Sequence, residues 1–202
     1  MKKLIIILIL IVFCFGFSSP HHRIIARQND SGTECSTTTD YIGDKLDSYA
    51  GSTASANDRV YLHLYTPTCT SGCTSGTLTT AYMYHSSTGA DNLKMLVFLD
   101  DGDDVPDSGD SRIDTATLGS SAAEWASAAF DTGASTTCSS KYWIGWVSNS
   151  TAWDRKYDTS GSLVLYYQDI TDGYDTSMPS DLSGSWTQVA DRNTSAYATV
   201  GP

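Results

Sequence analysis

The densest chemistry in this chain is acidic. Asp100, Asp101, Asp103, Asp104, Asp107, Asp110 and Asp114 fall in one stretch punctuated by Gly102, Pro106 and Gly109. Carboxylates this close repel one another unless water or a shared cation separates their charges. Calcium suits such a loop, because it accepts about six to eight oxygen ligands in flexible geometry. The expected ligands are Asp100, Asp101, Asp103, Asp104, Asp107 and Asp110. The spacing departs from the EF-hand template: Val105 stands where a third oxygen ligand belongs, and no Glu follows at the twelfth position. Asp and Gly also favour turns, so a solvated loop tip without metal is the competing reading.

A second constellation is aromatic. Trp153, Tyr157, Tyr166, Tyr167, Tyr174 and Trp186 are interleaved with Asp154, Arg155, Lys156, Asp158, Gln168, Asp169 and Asp175. Sugar rings present apolar C–H faces, so a glycan site needs an exposed aromatic surface with planar polar partners. The expected ligand-binding residues are Trp153, Arg155, Tyr157 and Tyr174, with Trp153-Asp154-Arg155 in a loop. Trp125, Tyr142, Trp143 and Trp146 sit on regular strands and are expected to pack inside the fold.

Enzyme signatures are sparse. The chain has no His-Glu-x-x-His helix, no Gly-x-Ser-x-Gly elbow and no glycine-rich phosphate loop. His21 and His22 lie near the N-terminus, and His63 and His85 lie on predicted strands. A non-catalytic protein is expected, although a pair of aspartates leaves no local motif by which a glycosidase would be seen.

The N-terminus sets the compartment. Lys2 and Lys3 precede an apolar run from Leu4 to Phe17, and Gly16 and Ser18 occupy the −3 and −1 positions of a small-residue cleavage site. Residues 1–18 read as a secretory signal peptide, too short for a membrane span. A second cleavage after Arg27 is open. Export leaves Cys35, Cys69, Cys73 and Cys138, an even set in an oxidising compartment. Three connectivities are possible. The tight turn Thr70-Ser71-Gly72 favours Cys69–Cys73, leaving Cys35 with Cys138; a zinc site has weaker support. Asn29, Asn149 and Asn193 open Asn-x-Ser/Thr sequons and are candidate glycosylation sites in an exported chain. The net charge is −11, and Glu34 and Glu124 are the only glutamates. That balance argues against nucleic acid and anionic membranes as partners.

These side chains need a scaffold. Residues 19–56 are polar and aperiodic and read as an N-terminal arm able to act as an edge or donor strand. From residue 57 to 202 short runs rich in β-branched and aromatic residues recur between Gly, Asp, Ser and Pro. Arg59 to Thr66 alternates, with Val60, Leu62 and Leu64 on one face and Tyr61, His63 and Tyr65 on the other. Similar runs predict an all-β antiparallel sandwich of about 8–10 strands.

Arg59 to Val200 resembles a jelly-roll-like β-sandwich module of bacterial secreted and surface proteins and of phage structural proteins. The carriers are Leu93-Lys94-Met95-Leu96-Val97-Phe98-Leu99-Asp100-Asp101-Gly102 with Pro106, then Trp125, then Lys141-Tyr142-Trp143-Ile144-Gly145-Trp146. Tyr174, Met178-Pro179, Trp186 and Tyr197-Ala198-Thr199 follow. Phe98 stands where such modules commonly have Tyr, and the turn is longer and more acidic. The resemblance implies an accessory or structural sandwich outside the cell and no particular ligand. The expected role is therefore an extracellular structural or adhesive protein, self-assembling into filaments or a surface layer with copies of itself or other surface proteins. The alternative is a carbohydrate-binding module, calcium-dependent through the acidic loop.

Overall fold

Runs that alternate apolar and polar residues pair into ladders wherever both faces find cover, and this chain supplies enough such runs for two sheets. The computed structural model describes residues 35–36, 39–45, 51–70, 72–85, 93–119, 124–149, 151, 153–159, 163–170 and 178–202, all within the compact unit Thr33–Pro202. The expected signal peptide, Asn29 and Tyr174 lie outside these residues. No helix among them is long and apolar enough to cross a membrane.

The strands are β1 (Tyr41–Gly43), β2 (Gly51–Ala54), β3 (Arg59–Tyr65), β4 (Ser75–His85), β5 (Leu93–Leu99), β6 (Ser111–Leu118) and β7 (Glu124–Ala129). They continue with β8 (Ser135–Thr137), β9 (Tyr142–Ser148), β10 (Asp154–Asp158), β11 (Leu165–Asp169), β12 (Thr187–Val189), β13 (Asn193–Thr194) and β14 (Ala196–Gly201). All ladders between them are antiparallel. The larger sheet runs β1-β14-β4-β10-β13, with β2 on β10 and with β7 and β8 on β4; the smaller runs β12-β11-β3-β9-β5-β6. The all-β sandwich is thus the observed fold class. β1 and β2 fall inside the stretch expected to be a polar arm, yet both are hydrogen-bonded into the larger sheet, so the sandwich begins before residue 57.

Two cores explain the register. Between the sheets lie Tyr61, Met83, Met95, Val97, Ile144, Trp146, Trp153 and Ala198 among others. On the far face of the smaller sheet, Val60, Leu62, Leu96, Phe98, Trp143 and Val147 pack against Leu182, Met178 and Trp186. The segment 178–186 covers that face, which is why every residue of β9 is buried. A strand covered on both sides loses its apolar–polar alternation. In β3 the aliphatic face therefore meets this cover, and the aromatic face with His63 looks into the sandwich.

The disulfide expectation is overturned. Cys35 pairs with Cys73 and Cys69 with Cys138, at Cα separations of 5.0 and 6.1 Å. The turn that brings Cys69 and Cys73 together in sequence sends their sulfurs to different partners. Cys73 enters the core beside Cys35, and Cys69 meets Cys138 just after β8. Two disulfides fit an oxidising, extracellular type of environment.

Candidate functional site

Where β2 and β10 of the larger sheet part from β3 and β11 of the smaller, the sandwich opens into a cleft of about 500 Å³. The ladders dictate what lines it. Pairing sets Arg155 opposite Thr53 and Tyr157 opposite Gly51, while across the gap Tyr167 lies opposite Tyr61 and Asp169 opposite Arg59. Gly51 makes room for Tyr157, since a Cβ there would sit 2.8 Å from the phenol oxygen. Arg192, just before β13, completes the lining with Ser52, Ser55 and Thr151.

Each of the three arginines lies over a tyrosine ring. The guanidinium carbon of Arg155 is 3.9 Å from the Tyr61 centroid, that of Arg192 3.9 Å from Tyr157, and that of Arg59 4.5 Å from Tyr167. Stacking covers a guanidinium face and leaves its in-plane N–H donors to point elsewhere. Arg59 directs them to Asp169, with Nε–Oδ1 2.5 Å and Nη2–Oδ2 3.0 Å. Among the described residues neither Arg155 nor Arg192 has a carboxylate within ion-pair distance. Arg155 is 8 % exposed, and its Nη1 and the buried Ser55 Oγ have no hydrogen-bond partner there. Burial holds the Arg155 pKa below its ordinary value; Tyr61 opposes this, and the charges of Arg192 and Arg59 reinforce it. A buried cation with a free donor is costly unless a counter-charge arrives.

The expected ligand-binding residues divide. Arg155 and Tyr157 line the cleft. Trp153 does not, because it is 2 % exposed and packs 4.3 Å from the His85 ring, so it supports the wall and offers no sugar a surface. Residues 154–158 form a strand and not the expected loop. Sequence reading missed Arg59, Arg192 and Tyr61, which join the cleft only through pairing distant in sequence.

The acidic residues divide as well. Oxygens of Asp100, Asp101 and Asp103 lie within 4.8 Å of one another. Asp100 is 8 % exposed and its Oδ1 is buried without a hydrogen-bond partner among the described residues. Burial, with the Asp104 charge adding to it, raises the Asp100 pKa. Asp101 Oδ1 accepts from the Asp103 amide at 3.3 Å and Asp103 Oδ1 from the Val105 amide at 2.8 Å, and the other expected ligands are engaged too. Asp104 pairs with Lys141 at 2.5 Å; Asp110 accepts from the Asp101 and Asp107 amides at 3.1 and 3.0 Å; Asp107 Oδ1 accepts from the Gly109 amide at 2.6 Å. Asp114 likewise accepts from the Thr132 and Ala134 amides. The carboxylates of Asp107, Asp110 and Asp114, together with those of Asp101 and Asp103, fold the loop through backbone amides, and Gly102 at φ 111° turns it where a side chain would strain.

Two further placements matter. Asn149 is exposed and remains a glycosylation candidate. Asn193, the other candidate among the described residues, is 7 % exposed on β13, and its amide donates to Asp44. Trp125, expected inside, is half-buried on the outer face of the larger sheet. There it meets Tyr84 and Tyr197 at 5.3 and 5.2 Å, and Tyr82 stacks on Tyr197 at 4.6 Å. Burial, aided by Tyr82, pushes the Tyr197 pKa up to about 12. Comparison with protein-family models and with characterised protein sequences finds no match for this chain.

Proposed function

We propose that this chain is an exported adhesive β-sandwich that binds glycans outside the cell, with the cleft between β2/β10 and β3/β11 as its site. The observation that carries this reading is the convergence of Arg155, Arg192 and Tyr157 with the hydroxyl side chains of Ser52, Thr53 and Thr151 on one opening of the sandwich. Guanidinium and hydroxyl donors match the dense hydroxyl and ring oxygens of a saccharide. The disulfides support the exterior setting, and the signal-like N-terminus supplies the route. The resemblance to jelly-roll-like modules of secreted and surface proteins points to the same setting.

The self-assembly reading draws on a free N-terminal arm. Residues 41–43 and 51–54 of that stretch already pair within the chain's own sheet, and the β6 edge is met by Arg112 N to Ser180 O at 2.8 Å and Asp131 N to Thr115 O at 2.8 Å. The cleft therefore has the stronger claim. Its test is retention of the purified protein on a glycan array. Tyr157→Ala is expected to weaken binding by about 2 kcal/mol, while Trp125→Ala on the opposite face leaves it unchanged. The reverse result would move the site to the aromatic outer face.

Calcium belongs to the same proposal as a structural ion of the β5–β6 loop, held by Asp100, Asp101 and Asp103. The buried, unpaired Asp100 Oδ1 supports it, because a cation would meet the charge that burial strands there. Millimolar calcium is expected to raise the melting temperature by several degrees, as binding at about 100-fold over Kd adds roughly 2.7 kcal/mol. Asp100→Asn is expected to abolish that shift, and a wild-type melting curve indifferent to calcium and chelator would remove the ion from the account.

A further inference from the structure

Among the features left over by the glycan reading, the cleft's own charge is the most informative. A chain of net charge −11 and pI ≈ 4.4 gathers three arginines around one opening. One of them, Arg59, is neutralised by Asp169. Arg155 and Arg192 keep their charges without a carboxylate among the described residues. Both are stacked on tyrosines, so their forks are held in place before any ligand arrives, which limits the ordering entropy that binding must overcome.

We propose that the cleft selects a sugar residue bearing one anionic group, a carboxylate or sulfate, seated on Arg155 and Arg192. This rests on the glycan reading above and names the ligand class for that site. Three features favour a single charge on an otherwise neutral ligand. The cleft, at about 500 Å³, holds a sugar or two and not a long chain. Its hydroxyl lining from Ser52 and Thr151 suits the remaining sugar hydroxyls. The acidic remainder of the surface repels a polyanion such as nucleic acid or a run of acidic peptide. The tyrosine rings serve mainly as supports: Tyr61 has Arg155 against it at 3.9 Å and Trp146 stacked at 5.5 Å. Recognition therefore falls to the guanidinium forks, which bind planar or tetrahedral oxyanions through two parallel hydrogen bonds.

The experiment is an array of matched pairs: glycans ending in a uronic or sialic acid, their carboxyl-reduced neutral counterparts, and the same neutral glycans carrying one sulfate. Retention of the acidic or sulfated member over its neutral partner by roughly tenfold or more is expected, and which of the two anions is retained identifies the group. Arg192→Ala, half-buried before β13 and checked for folding by near-ultraviolet circular dichroism, is expected to abolish the preference. Equal retention of acidic and neutral partners would overturn the anionic assignment and leave the glycan reading standing. Retention of no glycan at all would overturn both. An anionic preference that survives intact in folded Arg192→Ala would overturn the placement on these arginines.

Discussion

Reduction of the two disulfides is expected to remove most of the stability of the fold. In the chain-entropy picture each bridge acts by restricting the unfolded chain, and loops of 38 and 69 residues correspond to roughly 4 kcal/mol apiece. The bridges cross: the segment from Cys69 to Cys73 belongs to both loops, so their effects overlap and the total falls short of twice one bridge. Against a typical domain stability of about 5–15 kcal/mol, that loss shifts a urea midpoint by molar amounts. Each paired variant, Cys35→Ser with Cys73→Ser or Cys69→Ser with Cys138→Ser, is expected to lose about 2–5 kcal/mol. The pairing itself is read by alkylation of the single Cys35→Ser variant. Peptide 113–141, which carries Cys138, is expected to stay protected; alkylation there would restore the Cys35–Cys138 pairing.

Acidification below pH 6.5 is expected to destabilise the sandwich through His63. This residue is fully buried on β3 and spans the two sheets: Nδ1 donates to the Val164 carbonyl at 3.0 Å, and Nε2 accepts from Thr194 Oγ1 at 3.2 Å. The carbonyl can only accept, so Nδ1 carries a proton; burial keeps the ring neutral, and Nε2 then accepts from the Thr194 hydroxyl. Burial lowers its pKa to about 3; the Val164 carbonyl opposes the shift, and the Arg155 charge adds to it. The unfolded chain takes up its proton near pH 6.5 and the native chain only near 3. The His63 contribution is therefore complete above about pH 6.5 and declines on the way down to about 3, with a slope up to about 1.4 kcal/mol per pH unit and a total of roughly 5 kcal/mol. Asp100 and Asp110, whose pKa values burial raises, act in the opposite direction at the acidic end, because native carboxyls that hold protons longer gain stability as pH falls. The His63 contribution is isolated by comparing slopes: unfolding free energy of His63→Gln against pH is expected to be flatter than wild type between pH 6.5 and 4. Parallel slopes would show that His63 does not titrate on unfolding.

Much of the architecture was legible because local pattern and tertiary environment agree. β3, β4, β5, β6 and β9 fall where alternation or apolar runs place them. β10, by contrast, reads Asp-Arg-Lys-Tyr-Asp, a string with no apolar face, and it is a strand only because β2, β4 and β13 supply ladders and Tyr61 supplies a surface for Arg155. β1, β8 and β13 are two or three residues long, too short for any period to register. The site was half legible for the same reason. Arg155 and Tyr157 stood out by composition within one segment, but Arg59 and Arg192 enter through β3 and the β12–β13 connection, whose proximity to β10 exists only after the sheets close. Trp153 misled because a tryptophan beside charged residues reads as exposed, whereas the indole turns inward to His85. In the acidic loop, composition marked the right stretch; backbone amides bond to Asp101 and Asp103 as they do to Asp107 and Asp110, and only the folded positions of the oxygens single out the three that converge.

The most direct test of the cleft is a titration of ¹⁵N-labelled protein with a uronic-acid-terminated trisaccharide, followed at the arginine side-chain Nε–Hε resonances. The signals of Arg155, Arg192 and Arg59 are expected to shift together and saturate. Arg112, which donates to the Met178 and Pro179 carbonyls at 3.0 and 2.8 Å elsewhere in the fold, serves as the unperturbed reference. Saturating shifts confined to the three cleft arginines would establish the site; unmoved cleft arginines, or shifts centred on Arg112, would contradict it.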